Sequence, residues 1–239
     1  MMYRLFHEFA HRYDLHTPPG HYKHDHAFVI SEALRTAPQG CRLLDVGCGT
    51  GVFLEAALAA GIDAYGLDAA PEMIEVAARR VGAERVRVQR MQEIDELAVY
   101  DMVCSLSWAI HYAESFSELE DVIARCRRAL RPGGLLLLQV ANDVAMRGAV
   151  SVDVESGPAG EADDTYFIHR FSPLRDVEHR VIADYVYASR VNHELLVEQH
   201  ELRFADPAEI ADCLSRCGFG DISVVKSASI SPFVRGRSR

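Results

Sequence analysis

"LLDVGCGTG", residues 43–51, ends an apolar run in an aspartate and follows it with glycines at 47, 49 and 51. Glycine frees the backbone for positive φ and lets a ligand lie against bare peptide. The stretch reads as a strand, a tight turn and the opening of a helix, "GVFLEAALAAG" (51–61), that Gly61 closes. A phosphate loop of the form G-x-x-x-x-G-K-[ST] needs a lysine, and none follows. A dinucleotide fingerprint, G-x-G-x-x-G, needs glycine at 52, where Val52 stands.

Outward from this loop, apolar runs alternate with amphipathic stretches, the pattern of a parallel sheet covered by helices. "CRLLDV", "DAYGLD", "RVRVQR" and "YDMVCSL" are the expected strands, and "PEMIEVAARR" is a helix with proline near its start. Ser117 with Glu120 is the expected capping box of a helix ending near Leu130, after which "RPGG" turns the chain into the buried strand "LLLLQV". Asp68 ends the second strand 17 residues beyond Gly51, so a right-handed β-α-β unit brings both to one sheet edge. A carboxylate there can accept hydrogen bonds from both hydroxyls of a ribose. Nicotinamide-dinucleotide proteins share that feature, so Asp68 alone does not choose the ligand.

Asp45 ahead of the glycines, the G-x-G-x-G spacing, and "YDMVCSL" with "LRPGGLLLLQV" together resemble class I S-adenosylmethionine-dependent methyltransferases over about residues 40–140. The resemblance implies an α/β, doubly wound, Rossmann-like sheet of seven strands. It also implies a helical lid over 1–40, a cofactor core over 41–150, an antiparallel β insertion after the fifth strand over 151–204, and a final part of the core over 205–239. The implied cofactor is S-adenosyl-L-methionine. Asp45, Gly47, Cys48, Gly49 and Gly51 would line its methionine and ribose side, Asp68 would hold the ribose, and Ala69 and Met73 would lie near the adenine. Met91 stands where the family often has an aspartate, so Gln92 or Glu93 would meet the adenine edge; Ser105 completes the expected cofactor set.

The segment "HRYDLHTPPGHYKHDHAFVISEAL" (11–34) resembles the N-terminal portion of amino-sugar N-methyltransferases, in which a Tyr-Asp and a later tyrosine reach cofactor and substrate. The matching residues are Tyr13-Asp14 and Tyr22. The loop after the fourth strand, "SLSWAIHY", would face the acceptor, with Trp108 and Tyr112 on the substrate. His111 corresponds to a histidine of those enzymes, and a pKa near 6.5 suits proton handling. Tyr13 and His111 are therefore the expected catalytic pair.

"HEFAH" (7–11) matches the zinc-protease pattern H-E-x-x-H, in which two histidines on one helix face hold the metal. Nothing elsewhere in the sequence supplies recognisable ligand spacing, so the stretch reads as a lid helix with Leu5, Phe6 and Phe9 as its apolar face, and no metal is expected. Six cysteines lack any C-x-x-C pair, which suggests neither a disulfide framework nor a cysteine zinc site. A formal net charge of −10 disfavours nucleic-acid binding. The basic tail "RGRSR" reads as a frayed terminus, and "SVDVESGPAGEADD" (151–164) as a loop leading into three antiparallel strands. No run is apolar enough to span a bilayer, so a cytoplasmic location and no membrane partner are expected. The expected activity is methyl transfer to a small polar metabolite, with an amine on a sugar-like acceptor ahead of a hydroxyl or carboxylate. A non-catalytic cofactor-binding module is the rival, and a homodimer through the β insertion is the expected assembly.

Overall fold

Strand β5 (Leu130–Gln139) shows why the central strands read as continuous apolar runs: both of its faces are buried. Leu136 and Leu138 pack into one layer with helices α4 (Phe116–Ala129) and α5 (Pro207–Arg216). Leu135 and Leu137 pack into the other layer with α1 (Lys23–Thr36) and α2 (Val52–Ala59). Helix α3 (Pro71–Val81) adds Ile74 and Ala77 to that second layer. The structure is a computed structural model that describes residues 3–16, 20, 22–141, 151–156, 165–173, 180–189, 193–226 and 231–239.

The remaining strands of the main sheet are β1 (Arg42–Val46), β2 (Asp63–Asp68), β3 (Val86–Val88), β4 (Tyr100–Ser105), β10 (Phe219–Val225) and β11 (Phe233–Ser238). The seven run in the order β3-β2-β1-β4-β5-β11-β10. Strands β1 to β5 pair in parallel, while β11 is antiparallel to both of its neighbours. The order reverses between β1 and β4, and in doubly wound sheets ligands bind beyond the carboxyl ends of the strands at such a switch point. The seven-stranded, doubly wound expectation therefore holds.

A second sheet, β6 (Ser151–Ser156), β7 (Thr165–Pro173), β8 (Arg180–Ser189) and β9 (Glu194–Arg203), is an antiparallel meander inserted after β5. Its buried face supplies Phe167, Phe171, Val181, Tyr185, Tyr187, Leu196 and Leu202, which pack against Leu5 and Phe9. The N-terminal segment is thereby held against the insertion.

Several local expectations change. Residues 151–156 are a strand rather than a loop, and 157–164 lie outside the described residues. The tail is no frayed end: β11 lies between β5 and β10, with Phe233 and Val234 fully buried and Arg235 donating to Glu32 (2.8 Å). The cap of α4 is Ser115, whose hydroxyl accepts from the Glu118 N–H at 3.0 Å, so the capping serine lies two residues before Ser117. "HEFAH" is not one helix either, because turns over residues 4–9 lead into a 3-10 turn at Ala10–Arg12.

Candidate active site

The glycine loop is fixed by its own backbone. Gly47 and Cys48 both donate their N–H to the Leu67 carbonyl (2.8 and 2.9 Å), which stitches the end of β1 to the end of β2. Asp68 then receives the Gly49 N–H at 3.0 Å on one carboxylate oxygen and the Ala70 N–H at 2.9 Å on the other. Burial raises its pKa, and these backbone hydrogen bonds oppose the rise. Gly49 has φ +52°, and a Cβ placed there would meet nothing within 4 Å, so this part of the loop borders open space. Gly51 serves packing instead: a Cβ there would stand 3.1 Å from Ala77 Cβ, so glycine lets α2 approach α3.

The open space is a cavity of 1020 Å³ at the switch point. Of the expected residues, Tyr13, Gly47, Gly49, Asp68, Ala69, Met73, Gln92 and Tyr112 line it, and Met91 lies beside Gln92. A smaller cavity of 80 Å³ on the other side of the loop is lined by Tyr13, Tyr22, Asp45, Gly47, Cys48 and Gly49, together with Thr50 and His26. Asp45 is 2% exposed, and its carboxylate receives a weak hydrogen bond from the Cys104 thiol at 3.6 Å. Burial pushes its pKa up to about 7. A carboxylate so placed, with one weak donor, suits a cationic ligand group that would restore its charge.

Four expected residues are elsewhere. His111 is 1% exposed and lines neither cavity. Its Nδ1 bonds the Arg203 carbonyl at 2.7 Å and its Nε2 accepts the Ala141 N–H at 2.9 Å. With both ring nitrogens held by main chain and burial lowering its pKa to about 4, it ties β5 and β9 to the loop after β4 and has no lone pair for an acceptor proton. Trp108 donates its indole N–H to Ser231 (2.9 Å) and packs edge-on against Phe171 and Phe204, away from the cavity. Ser105 is buried and donates to the Val46 carbonyl (2.8 Å), which makes it a strand-to-strand tie. Glu93 is exposed and accepts from the Arg90 N–H at 3.3 Å. Gly51, a helix-packing residue, is the fifth departure from the expected set.

The N-terminal segment is joined to the glycine loop by charge and hydrogen bonds. Asp14 accepts from Thr50 Oγ1 (2.5 Å) and from Arg80 (2.5 Å), while Arg80 also donates to the Thr50 carbonyl (2.8 Å). Tyr13, next in sequence, is thereby set between the two cavities, and burial raises its pKa well above the usual phenol value. His7 bonds Glu72 at 2.6 Å, which commits one member of the "HEFAH" pair to α3. Of the histidines in "HYKHDH", His21 lies outside the described residues and His26 packs between Tyr22 and Phe53. Among the described residues, the one cluster with metal-ligand spacing is Glu120, Cys213 and Cys217, on α4 and at the end of α5, and Arg216 holds its carboxylate at 3.0 Å.

Sequence reading missed a polar chain behind Tyr112. Its hydroxyl bonds His200 Nδ1 at 2.8 Å, and His200 Nε2 bonds Glu198 at 3.0 Å. Glu198 also accepts the Arg4 and Leu5 N–H groups at 2.7 and 2.9 Å. Period-two alternation in "ELLVEQHELR" puts Leu196, Glu198, His200 and Leu202 on one face, and that signal could have revealed two ionisable groups pointing inward.

The Asp68 carboxylate at the end of β2, a loop open over Gly49 and the buried Asp45 carboxylate form a donor set that fits S-adenosyl-L-methionine. Asp68, Gly47 and Gly49 would hold it, with Asp45 and Tyr22 on the smaller side. The family described as a methyltransferase domain matches residues 44–138. A ubiquinone biosynthesis O-methyltransferase of Xanthomonas campestris is 32% identical over 126 residues, which cover 50% of this chain and 51% of that protein. The chain thus spans about half the length of the curated relatives it matches. The whole architecture is similar to that of a sugar N-methyltransferase from Streptoalloteichus (TM-score 0.75, 24% identity, 91% of this chain and 88% of that one). It is also similar to an amino pentose methyltransferase from Micromonospora echinaspora, solved with S-adenosylmethionine bound (TM-score 0.72, 22% identity, 90% and 91%). Residues 44–138 thus match a methyltransferase domain, and the sheet that carries them has the fold of these S-adenosylmethionine-dependent and sugar methyltransferases.

Proposed function

We propose that the protein transfers a methyl group from S-adenosyl-L-methionine to an amine on a small, polar, sugar-like acceptor. The observation that carries this reading is the reach of the 1020 Å³ cavity, from the glycine loop and Asp68 to Arg180, Gln199, Glu201 and Arg203 of the inserted sheet. Sites for a single drug-sized ligand measure about 300–1,000 Å³, so a cofactor and a small acceptor can lie side by side. The far half sets the charged and amide groups of Arg180, Gln199, Glu201 and Arg203 beside Ile182 and Leu202, a mixed wall that suits a small acceptor carrying polar or charged groups.

Bound S-adenosyl-L-methionine supplies an electrophilic methyl group, and the protein's part is to align the nucleophile with it and keep water out. Asp68 and the loop fix one end of the alignment. Tyr13 and Phe6 close over the cavity from the lid, and the Asp14–Arg80–Thr50 cluster holds that lid against the loop. Tyr112 stands on the acceptor side. An amine must be presented unprotonated, whereas a hydroxyl needs a base during attack.

The similarity in architecture to an amino pentose methyltransferase and a sugar N-methyltransferase favours an amine. The 32% identity to an O-methyltransferase favours a hydroxyl and keeps a second reading, O-methylation of a small molecule. Incubation with methyl-labelled S-adenosylmethionine and a panel of aminosugars, catechols and small carboxylates tests both. Label recovered on nitrogen supports the first reading and label on oxygen the second. Cofactor binding with no transfer to any class would instead support a binding module.

A further inference from the structure

The hydroxyl of Tyr112, a cavity-lining residue, leads to an ordered, buried acid–base chain. Glu198 is a carboxylate that accepts the Arg4 and Leu5 N–H groups and lies 3.0 Å from His200 Nε2. Burial works to raise its pKa, but those donors outweigh it and hold the group below its usual value, so it stays ionised and can only accept. His200 Nε2 must therefore carry the ring proton, which leaves Nδ1 as the acceptor of the Tyr112 O–H. Burial lowers the His200 pKa, and Glu198 partly offsets this, so the neutral ring is the resting form near pH 7. Other titratable groups facing the pair are Tyr3, stacked on the imidazole at 3.7 Å, and Tyr185, which hydrogen-bonds Tyr112. Tyr13 lies nearby, and Glu114 lies on the cavity wall.

A nucleophile-side hydroxyl, an imidazole behind it and a carboxylate orienting the imidazole is the arrangement by which enzymes move a proton away from a reacting group. We propose that Tyr112, His200 and Glu198 form a relay that carries off the proton the acceptor loses during methyl transfer. Tyr112 is the catalytic residue, and His200 and Glu198 are positioning residues behind it. The inference rests on the methyltransferase reading above. In the step, the acceptor's lone pair forms the new bond to the methyl carbon, the carbon–sulfur bond breaks, and its electron pair goes to sulfur to give a neutral thioether. The acceptor proton moves to Tyr112 Oη as the phenol's own proton moves to His200 Nδ1. The resulting imidazolium is paired with Glu198 and returns its proton to solvent after product leaves. The nucleophile becomes strongly acidic only as the new bond forms, so a weak, buried base is sufficient. The relay also depends on the N-terminal segment, since Arg4 and Leu5 cap the carboxylate and Tyr3 covers the ring.

Two measurements test this. The first is nitrogen-15 NMR of histidine-labelled protein, with the His200 signals assigned through His200→Gln. A neutral ring protonated on Nε2 at neutral pH is expected, and the Nδ1 resonance should move when Tyr112→Phe removes its donor. A charged ring, or one protonated on Nδ1, overturns the relay. The second is labelled transfer to D-glucosamine and 3,4-dihydroxybenzoate as amine and phenol probes. With either probe, Tyr112→Phe should lower kcat by about 100- to 10,000-fold while S-adenosylmethionine affinity stays within about twofold. His200→Gln should abolish the acid limb of the kcat–pH profile, which a purely structural histidine would leave in place. Turnover within about threefold of the parent in both variants overturns the proposal. If neither probe is methylated, the ring state decides. The NMR arm needs no cofactor, so failure of the relay is distinguishable from failure to bind S-adenosylmethionine, which would strike the methyltransferase reading itself.

Discussion

Arg80→Ala should loosen the lid without unfolding the domain. The Arg80 guanidinium donates to Asp14 at 2.5 Å and to the Thr50 carbonyl at 2.8 Å, with the two charged side chains 18% and 27% exposed. A hydrogen bond between charged groups is worth about 1.5–3 kcal/mol, and partial exposure moves this pair toward the lower half, about 2 kcal/mol. Thr50 keeps its own 2.5 Å bond to Asp14, so the lid is weakened rather than freed. If lid closure holds the cofactor, 2 kcal/mol becomes a roughly 30-fold rise in Kd. Calorimetric titration with S-adenosylmethionine reads this directly, and amide exchange over residues 10–16 should quicken in the same variant. Arg79→Ala, at an exposed neighbouring position, is the control and should change neither. Parent-like affinity and exchange in Arg80→Ala would refute the claim that this cluster latches the lid to the loop.

Other outcomes follow from the same geometry. Asp68→Ala should weaken S-adenosylmethionine binding by about 2–4 kcal/mol, because the ribose loses charge-assisted acceptors; circular dichroism must first show the fold intact. Gly49→Ala should fold, at a cost of about 1–2 kcal/mol for its left-handed backbone, yet bind the cofactor more than about tenfold worse, since its methyl enters the space the loop borders. His111→Ala should cost about 2–4 kcal/mol of stability by orphaning the Arg203 carbonyl and the Ala141 N–H, measured by urea denaturation. The His111 pKa falls from 6.5 to about 4 on folding, so the unfolded chain binds the extra proton in that window. Its contribution is full above pH 6.5 and is lost as pH falls toward about 4, up to about 3 kcal/mol, and the parent's acid destabilisation in that range should shrink in the variant.

The glycine loop, Asp68 and the first five strands were legible because local rules govern them: buried parallel strands read as apolar runs, and tight turns demand glycine. What failed depends on tertiary partners. "RGRSR" is polar and basic, yet it contributes to a strand paired on both sides, where Arg235 reaches Glu32 and Arg237 reaches the Gly133 carbonyl. His111 matched a catalytic position, but its burial and its two main-chain partners come from β9 and the end of β5, which no local pattern reveals. "HEFAH" has helical spacing, although packing of Leu5 and Phe9 against the inserted sheet holds it in turns. The Tyr112–His200 contact joins residues 88 apart in sequence, and only the alternation of β9 hinted at it.

Calorimetric titration of the purified protein with S-adenosyl-L-methionine tests the central claim most directly. One-to-one saturable binding, weakened at least about 30-fold in a folded Asp68→Ala variant, is the predicted result. Absence of saturable binding by the folded parent protein, or equal affinity in the two proteins, would contradict it.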